Sequence, residues 1–167
     1  MMPDRLNLMP AQDALSALLN CCGSQEWASR MLDQRPYPSV EQLLESADRT
    51  WLALPELDWL EAFAAHPRIG ERSAAATSQR EQAGVLAAGD DVKRALAAGN
   101  AEYEARFGFI FIVFATGKTP EQMLQLLRDR MANDRATEIR TAAAEQMKIT
   151  RLRLQRLLAS TPSTSNT

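Results

Sequence analysis

Phe109-Ile110-Phe111-Ile112-Val113-Phe114-Ala115 is the longest wholly apolar run in the chain, and its reading decides the fold class. It is the only stretch that could be a strand, and a lone strand with no partner makes no stable sheet. The run is therefore read as a buried helix. That makes the chain an all-α, single-domain bundle of about eight helices. The run is also far too short to span a bilayer.

On either side, the sequence alternates capping signals with helical apolar spacing. Upstream, Asp90 can cap a long helix carrying Leu96, Tyr103 and Phe107. Downstream, Gly117 makes a turn before Thr119-Pro120-x-Gln122, a capping-box pattern that opens a helix burying Met123, Leu124, Leu127 and Met131. A last helix runs from about Arg135 to Ala159. Residues 160–167 read as a disordered tail, so the helical domain is 1–159.

The N-terminal half follows the same grammar. Asn7 can cap a helix with Pro10 in its first turn and Leu8, Leu15, Leu18, Leu19 and Cys22 on one face, ended by Gly23. Ser24 can cap a second helix that turns Trp27 and Met31 inward, and Arg35-Pro36-Tyr37-Pro38 stops it. Ser39-x-x-Gln42 opens a third, with Val40, Leu43, Leu44, Ala47, Trp51 and Leu54 at helical spacing. Pro55 starts a fourth with Leu57, Leu60 and Phe63 inward, which must weaken at His66 because Pro67 follows.

Composition narrows the function classes. With 46% hydrophobic and 24% charged residues, the chain is that of an ordinary soluble globular protein. A net charge of -2 gives no reason to expect nucleic acid. The first residues, with Asp4 and Arg5, lack a signal-peptide core. Two adjacent cysteines, Cys21 and Cys22, and one histidine cannot build a disulfide framework or a zinc site. A reducing, cytoplasmic setting with no metal and no membrane partner is expected.

Two apparent motifs carry little. Gly117-Lys118-Thr119 resembles the end of a phosphate-binding loop, but Ile112 stands where that loop needs glycine. Arg151, Arg153 and Arg156 form a basic cluster of the kind that is usually a solvated helix face. His66 has two readings. It is either a helix-terminal histidine favoured by the macrodipole or a titratable group at the chain reversal His66-Pro67-Arg68-Ile69-Gly70. Ser78 and Glu81 likewise have capping-box spacing, which alone would account for both.

Several of these segments resemble one family. Ala65-His66-Pro67-Arg68-Ile69-Gly70-Glu71 is similar to the signature histidine segment of 2-oxo-4-hydroxy-4-carboxy-5-ureidoimidazoline (OHCU) decarboxylases. Ser78-x-x-Glu81-Gln82-Ala83-Gly84 resembles a second motif of that family, and Asn100-Ala101-x-Tyr103-Glu104-x-Arg106-Phe107-Gly108-Phe109-x-Phe111 a third. Asn7, Cys22-Gly23, Trp27 and Arg35-Pro36-Tyr37 follow in the family's order, so the resemblance runs from Leu6 to Leu158.

The resemblance implies an all-helical enzyme without metal or organic cofactor that converts OHCU into (S)-allantoin and carbon dioxide in urate breakdown. It implies His66 as proton donor and Glu81 as a second catalytic group. Substrate contacts would come from Pro67, from Ser78, Gln79, Arg80, Glu81 and Gln82, and from Val113, Phe114, Ala115, Thr116 and Gly117. A C-terminal arginine of the family maps onto Arg153, with Arg151 as the alternative. A homodimer is implied. The ending Ser165-Asn166-Thr167, unlike the peroxisomal tripeptide of many animal members, implies a cytoplasmic protein.

The chemistry suits these residue types. Loss of carbon dioxide leaves an electron pair that an adjacent C=N bond of OHCU can accept, so no external electron sink is needed. The enol-like intermediate must then be protonated on one face, and a histidine with a pKa near 6.5 can supply that proton. The alternative is a non-enzymatic helical interaction domain. That would leave His66 on an open surface, whereas an enzyme would converge His66, Glu81 and a basic group on one pocket.

Overall fold

The computed structural model describes residues 3–67 and 89–159, and within them every regular element is a helix. In chain order these are α1 (Asp4–Asn7), α2 (Ala11–Cys21), α3 (Gln25–Asp33), α4 (Val40–Leu52), α5 (Glu56–Ala64), α6 (Asp90–Phe107), α7 (Pro120–Arg130) and α8 (Arg135–Ala159). The long α8 is the spine: it packs on α1, α2 and α4, while α3 bridges α2, α4 and α5, and α7 lies along α6.

Caps fall largely where the side chains dictate. The Ser24 hydroxyl accepts from the Trp27 amide at 3.1 Å, and Ser39 accepts from Gln42 at 3.1 Å. Thr119 and Gln122 form a reciprocal capping box with Pro120 as the first helical residue. Asp134 caps α8 by accepting from the Thr137 amide at 2.7 Å, and that hydrogen bond lowers its carboxyl pKa.

Three details differ from the sequence reading. Asn7 does not cap a helix; it ends α1, and α2 begins after Pro10. The Asn7 side chain instead clasps the Arg35-Pro36-Tyr37 loop, donating to the Tyr37 carbonyl (2.9 Å) and accepting from its amide (2.8 Å). With that break between α1 and α2, Leu8 falls outside the apolar stripe and stands exposed. Leu57, in the first turn of α5, is also exposed rather than inward. Gly89, not Asp90, holds the cap position of α6, and Asp90 contributes its charge to the first turn.

The fourth difference concerns the deciding stretch itself, because residues 109–115 are not helical. Gly108, at φ 83°, takes the left-handed conformation that ends α6, and the chain beyond it has no regular secondary structure through residue 115. Phe109, Phe111, Ile112, Val113 and Ala115 are nonetheless buried. The Phe109 and Phe111 rings close on Tyr103, with centroids 5.8 and 5.4 Å away, and Phe109 also meets Phe63 at 5.5 Å.

A buried segment with no regular hydrogen-bonding pattern of its own needs other partners for its backbone. Side chains provide them. Arg130 donates to the Ile112 carbonyl at 2.6 Å, Glu145 accepts from the Phe114 amide at 3.4 Å, and Lys118 donates to the Phe114 carbonyl at 2.7 Å. Arg130 is itself buried against Glu138, which accepts from the Arg130 Nε and the Tyr103 hydroxyl at 2.5 Å each and from Asn133 at 3.0 Å. The guanidinium also lies 4.6 Å from the Phe111 ring centroid. Arg130, Glu145 and Lys118 thus meet backbone groups of the segment from α7, α8 and the turn before α7.

The tryptophans link the remaining helices. Trp27 donates to the Ala47 carbonyl at 3.1 Å, Trp51 to the Ala143 carbonyl at 3.0 Å, and Trp59 to the Trp51 carbonyl at 2.9 Å. At the turn between α2 and α3, Gly23 meets the end of α5. A Cβ there would lie 2.5 Å from the Ala65 Cβ, so only a bare backbone fits. Glu61 of α5 accepts from the Gln25 amide at 2.9 Å, which fixes the same junction.

Candidate active site

His66 stands two residues past α5, where the helix loosens before Pro67. Its amide still bonds to the Phe63 carbonyl at 3.1 Å, so its backbone is anchored to the helix end. The imidazole is partly buried and points across to α8, where its Nε2 lies 2.5 Å from the Gln146 Oε1. Gln146 is fully buried. Its amide nitrogen donates to the Thr150 hydroxyl at 3.0 Å, and Thr150 lies beside the Cys22 thiol. The ring is therefore tied into the interior rather than left on an open face, as the interaction-domain reading would require.

The helical repeat sorts the C-terminal arginines. Gln146, Thr150 and Arg153 are spaced i, i+4 and i+7, which places them along one face of α8. Arg153 reaches the Asn20 carbonyl at 3.4 Å and lies beside Cys21 and Cys22 at the end of α2. Arg151 points elsewhere, in an ion pair with Asp48 of α4 at 2.8 Å. The basic cluster is thus divided between two faces and is partly buried, not a uniformly solvated surface.

Both cysteines beside Arg153 are buried, and burial pushes their thiols up to about 12 despite the nearby guanidinium. Such thiols stay protonated at neutral pH and are poor nucleophiles. Their part here is packing.

Residues 113–117 approach the same level of α8. Val113 and Ala115 are buried, Phe114 is partly buried and bonded to Glu145, and Thr116 and Gly117 are exposed. Gly117 adopts φ 78°, a left-handed angle that lets the chain reverse before α7. The structure thus sets His66 and Phe114 against consecutive residues of α8, Gln146 and Glu145, with Arg153 on the Gln146 face. Ser78, Gln79, Arg80, Glu81 and Gln82 lie outside the described residues. Pro67, also partly buried, continues directly from His66.

Sequence reasoning missed Gln146, Thr150 and Glu145. A signal for the first was available: Gln146 falls among Ile139, Ala142, Ala143, Ile149 and Leu154 on the buried stripe of α8. A glutamine at such a position needs a polar partner, and the sequence alone does not say which.

Comparison with known proteins places the helical chain in one family. The family model described as OHCU decarboxylase matches residues 7–155. The chain is 39% identical over 147 residues to the uric acid degradation bifunctional protein TTL of Arabidopsis thaliana, covering 83% of this chain and 45% of that one. It is 34% identical over 143 residues to a putative human 2-oxo-4-hydroxy-4-carboxy-5-ureidoimidazoline decarboxylase, covering 81% of this chain and 83% of the human one. The bifunctional relatives are longer: the chain spans less than half of the Arabidopsis protein and 31% of one from a Bacillus strain. A solved structure of OHCU decarboxylase in the presence of (S)-allantoin superposes with a TM-score of 0.77 at 35% identity, covering 85% of this chain and 96% of that chain.

The fold is that of an all-helical decarboxylase class. The chain belongs to the OHCU decarboxylase family.

Proposed function

We propose that this protein catalyses the decarboxylation of OHCU to (S)-allantoin in urate degradation, with His66 as the proton donor. The observation that carries the reading is the His66 imidazole, drawn off the surface and held by the buried Gln146, in a chain of this family. The carboxylate leaves as carbon dioxide, and its bonding pair forms a C=C bond toward the ureido-bearing carbon. The former C=N pair moves onto nitrogen, which takes a proton. Protonated His66 then delivers a proton to one face of the ureido-bearing carbon, and the enol hydroxyl loses its own as the carbonyl forms. Net uptake is one proton, and the enzyme returns unchanged.

Glu81, Ser78 and Gln82 would orient the imidazole or hold the substrate's hydroxyl and ureido groups. Pro67, Gln79, Arg80 and the 113–117 backbone would complete the contacts. The same reading makes the protein a cytoplasmic homodimer. The direct test adds the protein to freshly generated OHCU and follows the ellipticity of (S)-allantoin. Formation no faster than the spontaneous, racemising decay would refute the assignment.

Arg153 belongs to this reading in a specific way. A guanidinium clamped on the departing carboxylate would stabilise the ground state and weaken as charge disperses, opposing catalysis. A guanidinium on the ring or ureido oxygens anchors the substrate without that penalty. Allantoin, which lacks the carboxylate, should therefore inhibit, and Arg153→Ala should raise its inhibition constant about tenfold or more, the loss expected for a hydrogen bond from a charged donor. Arg153→Lys should restore only part of the affinity, since lysine lacks the planar fork. Arg151→Ala, which breaks only the Asp48 pair, should leave inhibition unchanged. Equal constants for wild type and Arg153→Ala would show that Arg153 holds nothing in the product.

A further inference from the structure

We propose that Gln146 is a positioning residue for His66, holding the imidazole's proton on Nε2 so that the neutral ring gains and gives up its second proton at Nδ1. The inference deepens the proposed function, and rests on it for its catalytic half only.

The argument is one of hydrogen-bond polarity. Thr150 accepts from the Gln146 amide nitrogen at 3.0 Å, which spends the donor end of the amide on Thr150 and turns the carbonyl oxygen toward His66. A carbonyl can only accept, so the nitrogen 2.5 Å away must carry a hydrogen. Donors thus run in one direction, from His66 through Gln146 to Thr150. Gln146 and Thr150 are both buried, so the amide keeps this orientation without competing bonds to water.

Neutral histidine has two tautomers, and which is present is set by the partner of the other nitrogen. An acid that must present its labile proton from one nitrogen loses effectiveness when the ring is free to swap tautomers, as shown by the large penalty for the wrong tautomer in catalytic triads. Gln146 makes no demand on the substrate in this scheme. It acts through the ring.

His66 is the only histidine in the chain, so a protein labelled with 15N-histidine gives one imidazole to observe. The ligand-free wild-type protein, titrated to the neutral ring, should show a single Nε2–H tautomer. Gln146→Leu, which keeps bulk and removes the acceptor, should give a tautomer mixture and lower kcat about tenfold or more while KM stays within about twofold. Gln146→Glu, which keeps an accepting oxygen, should retain the Nε2–H form. Thr150→Val should loosen the tautomer preference without touching the ring, and serves if Gln146→Leu fails to fold.

A wild-type ring protonated on Nδ1, or an unchanged tautomer in both Gln146→Leu and Thr150→Val, would overturn the proposal. A changed tautomer with unchanged kcat would overturn its catalytic half. If the wild-type protein formed no allantoin, the proposed function would fail while the tautomer measurement still decided the lock.

Discussion

His66→Ala is expected to remain folded and to lose about 10²–10⁴-fold in kcat, the usual contribution of a positioned proton donor. The loss should fall on kcat more than on KM, because the proton transfer is made only on the way to product. The variant should not be thermodynamically silent. Removing the ring leaves the buried Gln146 oxygen without its 2.5 Å partner, and an unmet buried acceptor costs about 1–3 kcal/mol. The folded baseline should survive this, since the ring is only partly buried and its loss opens little of the core. Circular dichroism reports both quantities, through the helical signal on heating and through (S)-allantoin formation. A folded alanine variant that turns over at near the wild-type rate would remove His66 from the reaction.

The largest stability effect is expected at Glu138. Glu138→Ala strands the Arg130 guanidinium in the interior and deprives Tyr103 and Asn133 of their shared acceptor. Breaking one side of a buried pair typically costs about 3–5 kcal/mol, a large part of a domain's whole stability. Replacing both partners, as Arg130→Met with Glu138→Leu, removes the stranded charge. It still leaves the Ile112 carbonyl and the Tyr103 hydroxyl unmet, at about 1–3 kcal/mol each. Urea denaturation should therefore rank the single variant at or below the double. A Glu138→Ala protein within about 1 kcal/mol of wild type would mean that the pair does not hold the 109–115 segment in place.

The helices were legible because their signals are local. Ser24, Ser39 and Thr119 cap where their types predict, and the apolar spacing of α4 and α7 carries through to burial. Residues 109–115 were not legible for the opposite reason. Their conformation is decided by Arg130, Glu138 and Glu145, charged residues that on α7 and α8 look like ordinary polar faces. Nothing within the run itself separates a buried helix from an irregular buried strap. The site divides the same way. His66 stands out as a lone histidine before proline, whereas Gln146 is 80 residues away and gains meaning only when two helices meet. Arg151 and Arg153 could not be ranked until the face of α8 toward α2 was known.

The contact at Gly23 gives that residue an obligation of an unusual kind. Its backbone is not in the left-handed region that calls for glycine at Gly108 and Gly117, so local conformation would accept other residues. What forbids them is Ala65, the residue immediately before His66. Any side chain at 23 would press as a wedge on Ala65 at the end of α5, the segment that carries the imidazole. The reach of His66 toward α8 is thus gauged by a missing methyl group on a turn that does not itself touch the ring. Under the proposed function, a side chain at position 23 would lower turnover without touching the substrate.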